Sequence, residues 1–246
     1  MGVFDFLSKE KREQRAFERN VKNLLRKTRA RDERMDEPIH YLAELGTDEA
    51  LLAMLRRYDV QIQSAPMDAF EKELIHDLLV EKGPKAIPPI IRFIEGSENV
   101  TWPIRALRQI TTQEQVVTEI LKVLEVELDK DSFKPDKKVR LLELLEDHVD
   151  ERVAPVAKVG LKDFDETVRY GAVELLFTQG NEAAREPLLE ALTDEEEESQ
   201  RIKKRIIEGF VDSGWTVKGF RKKVEEMLGK NQWVDRQGVI KQKAKE

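Results

Sequence analysis

Apolar residues recur along this chain in short stripes spaced three and four positions apart, each stripe ended by a glycine or a polar turn. The clearest stretch begins Val168-Arg169-Tyr170-Gly171-Ala172-Val173-Glu174-Leu175-Leu176 and passes through Gln179-Gly180-Asn181-Glu182-Ala183-Ala184. It ends with Pro187-Leu188-Leu189-Glu190-Ala191-Leu192. Apolar positions at i, i+3 and i+4 predict amphipathic helices. Gly180 between them predicts a tight turn, because glycine accepts the positive φ at which helices commonly end. The stretch reads as two short helices joined by a glycine turn.

Weaker copies of this unit precede and follow it. Met54-Leu55-Arg56, Ile90-Ile91-Arg92, Ile120-Leu121-Lys122, Val156-Ala157-Lys158 and Leu188-Leu189-Glu190 share one register, two apolar residues and then a charge. The charged positions are 36, 30, 36 and 32 residues apart. A constant register at unequal spacing means that loops vary while the helix pair is kept. Gly46, Gly83, Gly180 and Gly214 fall where turns are needed, and Thr111 to Glu114 predicts a capping box in place of a glycine. Among the first helices, Val139-Arg140 and Val168-Arg169 open two. Ala172 aligns with Ile206 and Leu176 with Phe210, one buried stripe per helix. Units are predicted at about 31–58, 67–96, 99–128, 135–162, 163–194 and 195–228.

Asp165, Val168-Arg169, Ala172, Leu175, Gly180, Ala184, Leu188 and Leu192 carry a resemblance to HEAT repeats, and more narrowly to the bacterial HEAT-like repeats related to those of phycobilin lyases. The resemblance covers roughly residues 31–228 and is sharpest in the fifth unit. It implies an all-α, right-handed solenoid of about six helix pairs, with first helices on the convex side and second helices lining a concave groove. It also implies scaffolding, and brings no catalytic residue with it.

The two ends differ from the repeats. Residues 8–30 read as one charged helix with Phe17, Val21, Leu24 and Leu25 on a face, so 1–30 is expected to cap the solenoid at 31–228. In the C-terminal segment, 229–246, the stretch Asn231 to Ile240 reads as extended, with Asp235 to Gly238 turning a small hairpin. An isolated hairpin is marginal and has to dock. Lys241 to Glu246 reads as a disordered tail.

Charge refines this picture. Lys9 to Arg31 holds ten Lys/Arg against three Glu, a net of +7, which leaves −13 on the remainder of a chain of net charge −6. An acidic body disfavours non-specific nucleic-acid binding, while the basic arm offers a place for phosphate. The 246 residues contain no cysteine, which excludes disulfides, thiolate metal sites and cysteine nucleophiles. No run approaches the roughly 18 apolar residues of a membrane span. Phe4, Phe6 and Leu7 are too few for a stable peripheral anchor. A cytoplasmic location is expected.

Candidate chemistry is sparse. His40, His76 and His148 sit in separate units without a second histidine at i+4, so they read as surface or helix-end residues and no metal or other cofactor is expected. Glu195 to Glu198 reads as a solvated linker with helix N-terminus character. Trp102 reads as starting a helix with its ring packed on the preceding unit, Trp215 as packed at the turn after Gly214, and Trp233 as the anchor of the C-terminal segment.

The sharper pattern is the row Arg56, Arg92, Lys122 and Lys158. Stacked second helices bring these four into a column of cations suited to an acidic peptide or phosphate. The bland alternative is that the register is simply the solvent-exposed one, and Glu190 in the fifth copy favours it. The function expected is a non-enzymatic scaffold, a monomer that holds a protein partner in its concave groove, with the basic row suited to an acidic one. The alternative is a nucleic-acid-associated protein using Arg15, Arg19, Lys22, Arg26 and Lys27 of the basic arm. A lyase or chaperone handling a chromophore is implied by the resemblance alone.

Overall fold

The computed structural model describes residues 3–27, 36–130 and 135–243, the first six of them by backbone alone. Thirteen α-helices and one two-stranded sheet stand among the described residues. Helix α1 (Val3–Leu24) is followed by six helix pairs. They are α2 (Asp36–Leu45) with α3 (Asp48–Leu55), α4 (Ala65–Lys82) with α5 (Ile87–Gly96), and α6 (Thr101–Ile110) with α7 (Gln113–Leu128). Then come α8 (Asp136–Glu146) with α9 (Val153–Gly160), α10 (Glu166–Gln179) with α11 (Arg185–Leu192), and α12 (Gln200–Ser213) with α13 (Arg221–Met227). Strands β1 (Gln232–Val234) and β2 (Ile240–Gln242) close the chain as an antiparallel hairpin.

The chain divides into two compact units, Met1–Glu119 and Ile120–Glu246, and α7 runs through the division. In the N-terminal unit α2 packs on α4 and α4 on α6, while α3 packs on α5. Each helix therefore buries its apolar stripe against the next repeat. Leu42, Leu51, Ile75, Leu79, Ile90, Ile104 and Leu107 are fully buried. Burying one such side chain contributes ~1.5–3 kcal/mol. Helix α1 docks on α2 and α3 through its C-terminal half, where Leu24 and Asn20 are buried. Residues 9–15 of the same helix are all exposed. The helix begins before the residue 8 read from sequence and ends at Leu24, short of residue 30; residues 28–35 lie outside the described residues.

In the C-terminal unit α10 is central, packed on α8, α9 and α12. Its local structure follows from its sequence. Asp165 caps the N-terminus by accepting from the Thr167 and Val168 N–H groups. Gly180 ends it in the left-handed region at φ 61°, and Gly214 ends α12 in the same way at φ 69°. Ala172, Leu176, Ile206 and Phe210 are buried, the aligned pairs expected from the sequence. Burial on α8 begins two residues earlier than expected, at Lys137 and Lys138 rather than at Val139.

Cations and acids tie the repeats of this unit together. Lys138 donates its Nζ to Asp163 at 2.7 Å and to the Lys130 carbonyl at 2.9 Å. One repeat later Arg169 donates Nε and Nη2 to Glu197 at 2.7 and 3.1 Å. In each case a first-helix cation reaches the acid just before the next first helix. Glu197 is buried, so the acidic run is not wholly solvated: Arg169 draws one of its four carboxylates inward.

The hairpin docks on α12 through β2. Val217 N–H donates to the Gly238 carbonyl at 2.7 Å, and Arg221 donates to the Val234 and Asp235 carbonyls. Trp233 is not the anchor. Side chains alternate along a strand, and Val234 and Ile240 face inward while Trp233 stays 46% exposed. Residues 241 and 242 belong to β2 rather than to a tail, and 244–246 lie outside the described residues.

Candidate functional site

The charged register of the second helices is exposed in every copy. Met54, Leu55, Ile90, Ile120, Leu121, Val156, Ala157, Leu188 and Leu189 are buried, while Arg56, Arg92, Lys122, Lys158 and Glu190 face solvent. The apolar positions fill the interior because i, i+3 and i+4 neighbours form one helix face. The residue after them is turned outward. In the N-terminal unit Arg56 and Arg92 extend this register from the packed helices α3 and α5. In the C-terminal unit Lys158 Nζ lies 4.0 Å from Glu190 Oε2, each side chain about half exposed. Register-equivalent positions of consecutive second helices are thus neighbours there.

The residue beside Arg56 has the opposite fate. Arg57 is fully buried and donates to Glu71 Oε2 at 2.6 Å, to Asp68 Oδ1 at 2.8 Å and to the Val60 carbonyl at 2.6 Å. Lys72 Nζ also meets Asp68, at 2.6 Å. A buried guanidinium is tolerated only when its donors are satisfied, and α4 supplies both carboxylates. This ties the first repeat to the second. Sequence reading missed it because two adjacent arginines give no sign of which is buried.

On α1, the basic residues Arg15, Arg19 and Lys22 are exposed, as are Arg26 and Lys27 just beyond it. They sit on the side of the helix away from Leu24, which meets the repeats. Nothing in their geometry converges on one point.

A denser cluster lies between α4 and α6. Trp102 stacks on Tyr58 with ring centroids 6.0 Å apart and meets His76 edge-on at 6.3 Å. The Arg105 guanidinium stands 5.0 Å from the Trp102 ring centroid and forks onto Glu73 at 2.9 and 3.0 Å. His76 is buried, its Nδ1 2.9 Å from Asp77 Oδ1 and its Nε2 3.3 Å from the Gln109 amide nitrogen. Burial, with the nearby Glu73 charge, pushes the Tyr58 hydroxyl far above its ordinary range. Tyr58 remains a neutral donor to the Lys72 carbonyl at 3.3 Å.

Of the three histidines, His76 departs from the sequence reading, buried inside α4, while His40 is exposed and His148 lies buried just past the end of α8. Among the described residues, Glu73, His76 and Asp77 form the one group of three potential metal ligands, their ligand atoms within 4.8 Å of one another. Their i, i+3, i+4 spacing on a helix was the available signal. Trp102 stands in the first turn of α6 with its ring on Tyr58 and His76 of the preceding repeats, and Trp215 packs at the turn after Gly214, stacking on Phe177 at 5.8 Å. The cap before α7 lies one residue later than expected, with Thr112 Oγ1 accepting from Gln115 N–H at 3.3 Å.

The fifth helix pair, α10 and α11, is where the comparison with known families finds a match. The family model described as PBS lyase HEAT-like repeat matches residues 168–194. That helix pair is similar to a HEAT-like repeat. The matched stretch runs from Val168, the first buried residue of α10, past the turn at Gly180 to the residues closing α11. No curated protein matches the chain at a significant level. Among the described residues no helix is long and apolar enough to cross a membrane.

Proposed function

We propose that this protein is a non-enzymatic scaffold that holds an acidic protein segment against its second helices. The supporting observation is the exposed register position, basic at Arg56, Arg92, Lys122 and Lys158 in a chain whose remainder is acidic. Exposed Arg and Lys on rigid helices attract carboxylates and phosphates without the ordering cost of a flexible loop. Arg56 and Arg92 add the option of two-pronged contacts to a carboxylate. Lys158 spends part of its charge on Glu190, so Arg56 and Arg92 carry more of the attraction in this reading.

The test is capture of partners by the full-length protein from nuclease-treated extract, beside an Arg92→Glu/Lys122→Glu variant of unchanged melting temperature. Loss of the captured protein in the variant supports the reading. Equal capture removes it. A partner lost on nuclease treatment also removes it, because nucleic acid then bridges the two.

A further inference from the structure

We propose that Glu73, His76 and Asp77 of α4 form a binding site for a divalent transition-metal ion of the zinc, cobalt or nickel class. One imidazole nitrogen and two carboxylates suit these borderline ions better than calcium or magnesium, which favour all-oxygen sites. The ligand atoms already lie within 4.8 Å of one another. Three protein ligands leave coordination positions for water.

The imidazole is held as a ligand rather than as a loose surface group. His76 is 2% exposed, fixed edge-on against Trp102, and meets Gln109 through Nε2. Ligating histidines ordinarily have such a partner on the second nitrogen. The Gln109 amide serves both tautomers. Without an ion, Nδ1–H donates to Asp77 and Nε2 accepts from the amide nitrogen. With an ion on Nδ1, the ring proton moves to Nε2, and a rotated amide presents its oxygen to accept it.

Arg105 sets the strength of the site. It forks onto both Glu73 oxygens, yet a carboxylate has about four lone-pair positions, so two stay open to an ion. Its positive charge opposes a cation, and removing it tightens binding. The site lies on a first helix, so it is separate from the basic register of the second helices.

Full-length protein stripped by chelator is titrated with zinc chloride by calorimetry and with cobalt chloride by visible absorption. Saturable binding at one ion per chain is expected. Asp77→Asn and Glu73→Gln should each weaken it about tenfold or more, and Arg105→Gln should strengthen it. Asp77 is exposed and the variants keep side-chain shape, so the melting temperature of the ion-free forms serves as the folding control. Absence of saturable binding by the wild type, or wild-type affinity in either carboxylate variant, overturns the site.

Discussion

The Arg169 guanidinium forks onto the Glu197 carboxylate, at 2.7 and 3.1 Å, and spends its remaining nitrogen on the Asp163 and Phe164 carbonyls at 3.0 and 2.9 Å. Asp163 in turn receives Lys138. The loops before α10 and α12 thus link successive first helices: Asp163 takes Lys138 of α8, and Glu197 takes Arg169 of α10.

Arg169→Leu leaves Glu197 buried without its cation, and should lower unfolding free energy by about 3 kcal/mol. Glu197→Gln keeps the geometry and a hydrogen bond, and should cost about 1 kcal/mol. Urea denaturation of both variants checks the order. Equal stability of Arg169→Leu and the wild type would contradict the role given to the pair.

Gly209 is a packing requirement of α12. A Cβ there would stand 2.2 Å from Phe177 Cζ, and Phe177 is held between Phe210 and Trp215. Overpacking of this kind costs ~1–3 kcal/mol, against a gain of about 1 kcal/mol in helix propensity for alanine. Gly209→Ala is expected to melt below the wild type and to change the near-ultraviolet signal of Trp215. A rise in melting temperature would show that the ring moves aside freely.

Acid should destabilise the fold. Arg152 side-chain hydrogen bonds, with its backbone N–H, hold the Asp150 carboxyl down at about 2. Burial raises Glu197, but hydrogen bonds from Arg169 and the Ser199 N–H more than offset it and leave the carboxyl below its usual range. Glu127 and Glu174 are held low in the same balance, by Lys130 with Lys137 and by Arg205 with Tyr170. Unfolded carboxyls titrate near 4. Folded values below that make each contribution complete above about pH 5 and lost as pH falls towards 2. Glu146 acts oppositely, because burial and then the Glu174 charge raise it, so its contribution is lost as pH rises. The lowered groups outnumber it. Thermal melts should be flat from pH 8 to 6 and fall steeply below 5; a melting temperature that holds to pH 3 would contradict the balance.

The fold was legible because repeats buy stability from one short-range pattern. Paired apolar stripes with glycine or polar turns between them predicted six helix pairs and the outward turn of Arg56, Arg92, Lys122 and Lys158. What escaped were charges that lie inside. Arg57, Lys138 and Glu197 read as surface in a one-dimensional pattern, because only a partner in space offsets the cost of burial. Trp233 misled for a related reason: a three-residue strand does not reveal which alternate face docks, and Val234 took the inner one.

The most direct test of the scaffold reading is calorimetric titration of the captured acidic partner into wild type and into a variant carrying Glu at positions 56, 92, 122 and 158. The reading predicts affinity lowered about tenfold or more, with a wild-type melting temperature and a weaker dependence on salt. Undiminished affinity in the folded variant would place the partner elsewhere on the protein.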